Sequence, residues 1–211
     1  MNGKLKIQLA VDRVSIQKAI EYVKAVGEDI DIVEVGTSLI KDYGLVSVKT
    51  VKEAYPHKTI LADMKVMDEG EYEFTAAYRA GADSVTVMGA ASLKTIAACK
   101  KVANDMGKDY MIDLLEVDEN KLDEIVKAAE DGVFCVHLPS DRKGQGLWEL
   151  IEASLKSLKG VRRLAVAGGV SLDSIGFIKK AGFEIVIVGS AITGSEDMTL
   201  AARKFYQAVN H

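Results

Sequence analysis

Short apolar runs rich in β-branched residues alternate with longer amphipathic stretches along the chain. The short runs predict buried parallel strands. These strands are predicted at Leu5–Val11, Ile30–Val35, Thr59–Met64, Ser84–Met88, Tyr110–Leu114, Val133–His137, Arg163–Ala167 and Ile185–Val188. The longer stretches carry apolar residues at helical spacing. They predict helices at Ser15–Val26, Gly44–Tyr55, Asp68–Arg79, Ser92–Met106, Asp118–Glu130, Leu147–Leu158, Ser171–Lys180 and Met198–Val209.

This alternation amounts to eight consecutive strand–helix units within 211 residues, with no long linker between them. Such a succession is typical of an α/β protein, and we predict a single (β/α)8 TIM barrel that occupies residues 1–211 as one domain. A doubly wound open sheet is the alternative, although it normally has fewer strands. Ser15, Ser92 and Ser171 are the predicted N-caps of three of the helices.

The composition excludes several classes of function. The formal net charge is −4 and no basic stripe is present, so nucleic-acid binding is not expected. No apolar run approaches the roughly 18 residues that a membrane helix needs, and the N-terminus lacks the features of a signal peptide. We therefore expect no membrane partner and a reducing, cytoplasmic location. Cys99 and Cys135 match no disulfide framework or metal motif and are predicted to be small buried residues.

Ionisable residues recur at the carboxyl ends of the predicted strands, where the active site of a barrel lies. Asp63 and Lys65 are two residues apart, so on a regular strand their side chains leave the same face. The others are Asp12, Glu34, Asp113 and His137. Singly, these could be a helix cap, a lysine partner or a satisfied core histidine. Together, they favour a catalytic rim, because burying unpartnered charges is costly.

Glu34 and Asp63 lie on neighbouring predicted strands and could converge on one cation. Two carboxylates together with water and a substrate oxygen suit Mg²⁺, whereas zinc is not expected without a cluster of His and Cys. The alternative without a metal is that both acids pair with Lys65.

Glycines follow the last two predicted strands, at Gly168-Gly169 and at Gly189-Ser190. Barrels frequently bind a phosphate with the loops after strands 7 and 8, where backbone N–H groups and a helix N-terminus face the anion. Glycine also serves tight turns, but two such loops at these strands predict a phosphate-binding site.

The chain resembles the orotidine-monophosphate-decarboxylase suprafamily, whose mark is Asp-x-Lys-x-x-Asp at the end of strand 3. Here that motif is Asp63-Met64-Lys65-Val66-Met67-Asp68. Within that suprafamily the chain is most similar to the 3-hexulose-6-phosphate synthases, with the 3-keto-L-gulonate-6-phosphate decarboxylases as close relatives. Further matching segments are Gln8–Asp12, Asp31–Thr37, Gly81–Val87, Val166–Gly169 and Ile187–Thr193.

This resemblance implies a lyase that acts on a phosphorylated ketose. The implied reaction is a reversible aldol cleavage of D-arabino-hex-3-ulose 6-phosphate to ribulose 5-phosphate and formaldehyde, through a Mg²⁺-stabilised enediolate. It also implies that Glu34 and Asp63 hold Mg²⁺. An obligate homodimer is implied as well, with active sites at the subunit interface and Asp68 reaching into the partner's site.

The implied chemistry assigns a role to each remaining residue. Lys65 is the ammonium that stabilises the developing negative charge, oriented by Asp12 and Asp68. His137 transfers the proton, because its ordinary pKa is close to neutral. Asp113 resembles the synthases, since the decarboxylases typically carry Glu there. Ser190 also favours a synthase, because the decarboxylases usually present arginine to the phosphate at this position.

The segment after His137 departs from the family pattern. The synthases usually continue Thr-Gly, whereas this chain reads Leu138-Pro139, and Arg142 matches only loosely an arginine of the decarboxylases. This leaves two alternatives to the aldolase. One is decarboxylation of 3-keto-L-gulonate 6-phosphate. The other is a non-catalytic barrel that binds a sugar phosphate, although such a protein has little need for the charged cluster.

Overall fold

The structure is a computed structural model that describes residues 4–139, 141 and 146–211. Its strands are β1 Lys6–Val11, β2 Ile32–Val35, β3 Thr59–Val66, β4 Ser84–Met88, β5 Asp109–Asp113, β6 Val133–His137, β7 Leu164–Ala167 and β8 Ile185–Val188. All neighbouring strands pair in parallel, and β8 pairs with β1, so the eight strands close into a barrel. The predicted TIM barrel is therefore confirmed, and the open sheet is excluded.

Helices connect the strands around the outside of this barrel. They are α1 Ile16–Val26, α2 Thr37–Tyr43, α3 Val46–Ala54, α4 Gly70–Arg79, α5 Leu93–Met106, α6 Glu119–Ala128, α7 Leu147–Ser157, α8 Leu172–Lys180, α9 Ser190–Thr193 and α10 Met198–Asn210. Among the described helices, none is long and apolar enough to cross a membrane.

Two sets of apolar side chains stabilise the fold, because successive strand residues point to opposite faces of the sheet. The larger set lies between the strands and the helices. The smaller set fills the inside of the barrel with Ile32, Leu61, Met111, Val133, Cys135, Ala165, Ala167, Ile185 and Ile187. Both cysteines are buried and free, as predicted.

Local signals explain where several helices begin and end. The hydroxyls of Ser15 and Ser92 accept hydrogen bonds from the backbone N–H groups of Lys18 and Thr95, as expected of N-caps. Ser171 also caps its helix, and its backbone N–H donates to the Ser174 hydroxyl at 3.1 Å.

Two short helices, α2 and α9, were not predicted. Each has fewer than eight residues, which is too short for a helical period to stand out. The side chain of Asp12 supports the start of α2, since its Oδ1 accepts hydrogen bonds from the backbone N–H and the hydroxyl of Ser38. Gly44 ends α2 with a φ of 65°. The segment Thr37–Tyr43 was assigned to no element from the sequence, and the structure makes it a helix.

Candidate active site

A cavity of about 970 Å³ opens at the carboxyl ends of the strands. Its floor is the apolar interior of the barrel, and its wall is polar. Ten of the eleven predicted site residues line it: Asp12, Glu34, Asp63, Lys65, Asp113, His137, Gly168, Gly169, Gly189 and Ser190. The exception is Asp68.

Asp63 and Lys65 meet because β3 is irregular at this point. Ala62 pairs with Val85 and Val66 pairs with Val87, so four steps along β3 face only two along β4. Lys65 has a φ of 48°, in the left-handed region that non-glycine residues rarely adopt. The two side chains do share the cavity, but a bulge with a left-handed lysine brings them together, not the regular alternation assumed from the sequence.

The Lys65 ammonium lies between two carboxylates. Its Nζ is 3.1 Å from Asp63 and 2.8 Å from Asp113 Oδ2. Burial alone would lower the pKa of Lys65, but the charges and hydrogen bonds of Asp63 and Asp113 outweigh it and raise that pKa above its ordinary value. Lys65 is therefore a fixed cation at neutral pH.

Asp113 joins Lys65 to His137. Its Oδ2 is 2.9 Å from His137 Nδ1, and its Oδ1 accepts a hydrogen bond from the backbone N–H of Leu115. Burial opposes ionisation, but His137 and Lys65 outweigh it and lower the pKa of Asp113 to about 2. Because Asp113 binds Nδ1, the other imidazole nitrogen, Nε2, is the one left for a ligand in the cavity.

Glu34 has a different environment from the other carboxylates. It is buried, and its Oε2 accepts a 2.6 Å hydrogen bond from Gln8 Nε2. Burial, followed by the charge of Asp63, raises the pKa of Glu34 to about 8, although Gln8 and Lys65 act in the opposite direction. Gln8 Oε1, also buried, has no hydrogen-bond partner among the described residues.

The residues near Glu34 have the donor types that Mg²⁺ prefers. The charges of Asp63 and Asp12 raise the pKa of Glu34, and the charge of Lys65 opposes them, so a cation beside Glu34 would favour its ionised form. All the donors are hard oxygens, and Mg²⁺ usually takes only one or two carboxylates and fills its other positions with water and substrate. Within the described ranges, no three His, Cys, Asp or Glu side chains are placed to hold a metal. Glu34 and Asp63 are thus oxygen donors of the kind that Mg²⁺ takes, and the metal itself stays a prediction.

The alternative in which both acids pair with Lys65 holds only for Asp63. Asp63 contacts Lys65, and it also accepts hydrogen bonds from the hydroxyls of Thr37 and Thr86. Glu34 is instead held by Gln8.

Asp12 lines the cavity without contacting Lys65. Its Oδ1 accepts hydrogen bonds from Ser38, at 3.1 Å from the backbone nitrogen and 2.7 Å from the hydroxyl. The prediction that Asp12 orients Lys65 is thus corrected: within one chain, Asp63 and Asp113 do so. The bulge in β3 turns the ammonium towards β5 and away from β1.

Asp68 lies outside the cavity of its own chain. It borders a separate surface depression of about 640 Å³ between α4 and α5. Asp68 therefore does not orient Lys65 within one chain. Its expected contribution to the site of a second subunit stays a prediction.

The loop after β7 is packed tightly against the segment after His137. Gly168 has a φ of 84°, and a Cβ there would lie 2.1 Å from the carbonyl oxygen of Leu138. Glycine is therefore required at this position by conformation and by space. The unusual Leu138 thus forms one wall of the loop predicted to bind phosphate. Arg142, which loosely matched a decarboxylase arginine, lies outside the described residues.

Several polar residues that line the cavity were missed from the sequence, among them Gln8, Thr37 and Thr86. Gln8 and Thr86 could have been found, because each lies among apolar residues on the inward face of its strand. Thr37 belongs to the unpredicted helix α2.

Comparison with known proteins agrees with the fold. The 3-hexulose-6-phosphate synthase of Bacillus subtilis is 37% identical, over 97% of this chain and 99% of its own. The crystal structure of 3-hexulose-6-phosphate synthase from Salmonella typhimurium superposes with a TM-score of 0.91 and 36% identity, covering 98% of this chain and 99% of its own. The 3-keto-L-gulonate-6-phosphate decarboxylase of Vibrio cholerae has a TM-score of 0.87 and 26% identity, covering 99% and 98%.

A model of the orotidine 5'-phosphate decarboxylase / HUMPS family matches residues 5–205, which is nearly the whole chain. This match and the identity to the synthases agree with the resemblance carried by the strand 3 motif. The chain belongs to the orotidine 5'-phosphate decarboxylase / HUMPS family.

Proposed function

We propose that this protein is a 3-hexulose-6-phosphate synthase, a lyase that joins ribulose 5-phosphate and formaldehyde reversibly to give D-arabino-hex-3-ulose 6-phosphate. The observation that carries the proposal is the continuous contact of Asp63, Lys65, Asp113 and His137 on one wall of the cavity. The relatives at 36–37% identity that bear this name support the same substrate class.

His137 and Lys65 supply the proton transfer and the charge stabilisation. Removal of a proton from C1 of ribulose 5-phosphate by His137 leaves an enediolate, whose C1 attacks the carbon of formaldehyde. The new alkoxide then takes the proton from His137. Lys65 stabilises the enediolate more than the neutral ketose, because the negative charge develops only as the proton leaves. Asp113 keeps the imidazole and the ammonium in place.

Glu34 and Asp63 are the residues that would hold Mg²⁺. When bound, the ion supplies positive charge beside the ketose oxygens. Removal of divalent ions with EDTA should abolish turnover, and added Mg²⁺ should restore it. Full activity after exhaustive chelation would contradict the metal proposal. The proposal that the protein catalyses the aldol reaction would still stand.

The phosphate of the substrate is proposed to bind at the loops after β7 and β8. Gly168, Gly169, Gly189 and Ser190 line the cavity on the side away from Lys65's strand. Glycines let backbone N–H groups approach an anion closely. This arrangement leaves C1 of the ketose directed across the cavity towards the charged wall.

A homodimer with shared active sites is proposed from the position of Asp68. Met67 and Tyr72, on either side of it, are exposed by 52% and 72%. A face with exposed apolar side chains beside a needed carboxylate suits contact with a second copy.

The two unpaired cysteines also fit the expected reducing, cytoplasmic location.

Mixing two inactive variants tests the shared site. If Asp68 serves the partner, then dimers formed from K65A and D68A chains contain one intact site, and activity should return on mixing. If each site is complete within one chain, the mixture stays inactive. Light scattering of the native chain gives its oligomeric state independently.

The proposed reaction is tested by following both substrates. Ribulose 5-phosphate and formaldehyde should disappear in equal amounts in the presence of Mg²⁺. If neither is consumed and CO₂ is released from 3-keto-L-gulonate 6-phosphate instead, the protein is the decarboxylase. If it binds ribulose 5-phosphate without either turnover, it is a binding protein.

A further inference from the structure

Thr86 makes two hydrogen bonds that meet at the bulge of β3. It lies in β4 with 3% of its surface exposed, on the inward face of the barrel. Its hydroxyl oxygen accepts a 2.8 Å hydrogen bond from the backbone N–H of Lys65 and donates a 2.8 Å hydrogen bond to Asp63 Oδ1. One hydroxyl thus contacts the backbone of the lysine and the side chain of the aspartate.

The bulge creates the need for such a partner. Regular pairing of β3 with β4 stops at Ala62 and resumes at Val66, so the Lys65 N–H falls in the interrupted part of the ladder. A buried backbone N–H without a partner is strongly unfavourable, and the left-handed conformation of Lys65 adds strain. The Thr86 hydroxyl satisfies the N–H in place of a carbonyl of β4.

The conformation held in this way determines where the ammonium lies. The φ of 48° at Lys65 turns its side chain across β4, so that Nζ reaches Asp113 on β5 at 2.8 Å while staying 3.1 Å from Asp63. Between Ala62 and Val66, β3 contains two more residues than the paired part of β4. If Lys65 were extended and β3 regular, these two extra residues would not be present. The bulge is therefore what brings β3 and β5 into electrostatic contact.

We propose that Thr86 is a positioning residue, which holds the β3 bulge so that Lys65 and Asp63 keep their places in the site. It acts through those two residues. The kinetic part of this inference rests on the proposed synthase reaction, whereas the structural part does not.

Three variants separate this role from a general loss of packing. Thr86→Val keeps the shape but removes both hydrogen bonds, and Thr86→Ser keeps the hydroxyl. Ser47→Ala is the matched control, because Ser47 is also fully buried and its hydroxyl donates to the Gly44 carbonyl, away from the cavity.

In T86V we expect kcat for the aldol reaction to fall by roughly 30- to 100-fold, since a displacement of about 1 Å at a catalytic group has effects of this size. The KM for ribulose 5-phosphate should change less than about threefold, because binding through the phosphate is untouched. T86S should recover kcat to within about threefold of the native enzyme, and S47A should match it.

A crystal structure of T86V gives a readout that needs no activity. We expect Lys65 to leave the left-handed region and its Nζ to move out of contact with Asp113. An unchanged bulge in T86V would overturn the inference, and so would native kcat in T86V or a T86S variant as impaired as T86V. If the native protein lacks synthase activity, the proposed reaction fails and the crystal structure still decides the role of Thr86. Should T86V not fold, T86A is measured by the same criteria.

Discussion

The two ends of the barrel both carry dense charge, but they use it differently. At the amino ends of the strands, Arg163 contacts Asp109 at 2.7 Å and Glu184 at 3.1 Å, with all three side chains 22–41% exposed. At the carboxyl ends, Lys65 contacts Asp63 and Asp113, whose side chains are only 8% and 4% exposed. Only the second group faces a large cavity.

The two ends differ in whether their polar and charged groups are all paired within the chain. Around Arg163 each ionic group has its opposite charge beside it, which lowers the pKa of Glu184 despite its partial burial. In the cavity, Glu34 has a raised pKa and Gln8 Oε1 has no partner among the described residues. Charge alone therefore does not indicate chemistry. Chemistry is indicated when buried charged groups line an open cavity and some polar groups beside them lack a partner.

The largest effect is expected for Lys65→Ala. Removing the ammonium should lower kcat by on the order of 10⁴-fold, because the proposed enediolate would lose a fixed positive charge beside it. Affinity for inorganic phosphate, measured by calorimetry, should stay within about threefold. The exposed Lys49→Ala is the control and should be fully active. Turnover within about tenfold of native in K65A would contradict the assigned role.

Gly168→Ala should have the next largest effect. The new Cβ would lie 2.1 Å from the Leu138 carbonyl oxygen, so the loop after β7 must move. We expect the KM for ribulose 5-phosphate to rise about tenfold and the free energy of unfolding to fall by about 2–3 kcal/mol. Gly182→Ala is a matched control, with the same φ of 84° and no atom within 4 Å of the added Cβ. Equal effects of the two variants would show that the contact with Leu138 is unimportant.

Acid should weaken the fold through Asp113. Its pKa is about 2 in the folded state, against an ordinary value of 3.8, so its contribution to stability is fully present above about pH 4. That contribution, of about 2 kcal/mol, is lost as the pH falls through about 2. Urea unfolding between pH 5 and pH 2 should therefore show a shallower decline in D113N than in the native protein. Parallel curves would refute the coupling of Asp113 to His137 and Lys65.

The smallest effect on activity is expected at the opposite end of the barrel. Arg163→Ala should lower the free energy of unfolding by about 1–2 kcal/mol, because two carboxylates lose their partner, and it should leave kcat within about twofold. Its exposed neighbour Arg162 provides the control variant, R162A, which should change neither quantity. A large loss of kcat in R163A would remove the contrast between the two ends.

The sequence predicted most of the fold, and it predicted that most of the candidate site residues lie together at one end of the barrel, for physical reasons. Strand ends of a parallel barrel meet at one rim, so Asp113 and His137 could be expected to lie together without knowledge of their contact. The 2.9 Å pair between them follows directly from that placement.

The bulge at Lys65 could not be predicted. A strand pattern gives no sign that four steps of β3 face two of β4, and the left-handed lysine depends on a hydroxyl that lies on another strand. For the same reason the sequence assigned Asp12 to Lys65, although Asp12 contacts Ser38. Side-chain contacts between distant residues cannot be predicted from periodicity alone when they depend on an irregularity of the backbone.

Carbon NMR with ¹³C-labelled formaldehyde and unlabelled ribulose 5-phosphate is the most direct test of the central claim that this cavity performs the aldol reaction. In the presence of Mg²⁺ and the native protein, the label should move from formaldehyde hydrate to C1 of a hexulose 6-phosphate. With K65A it should stay where it is. Label that remains entirely in formaldehyde hydrate with the native protein would contradict the claim.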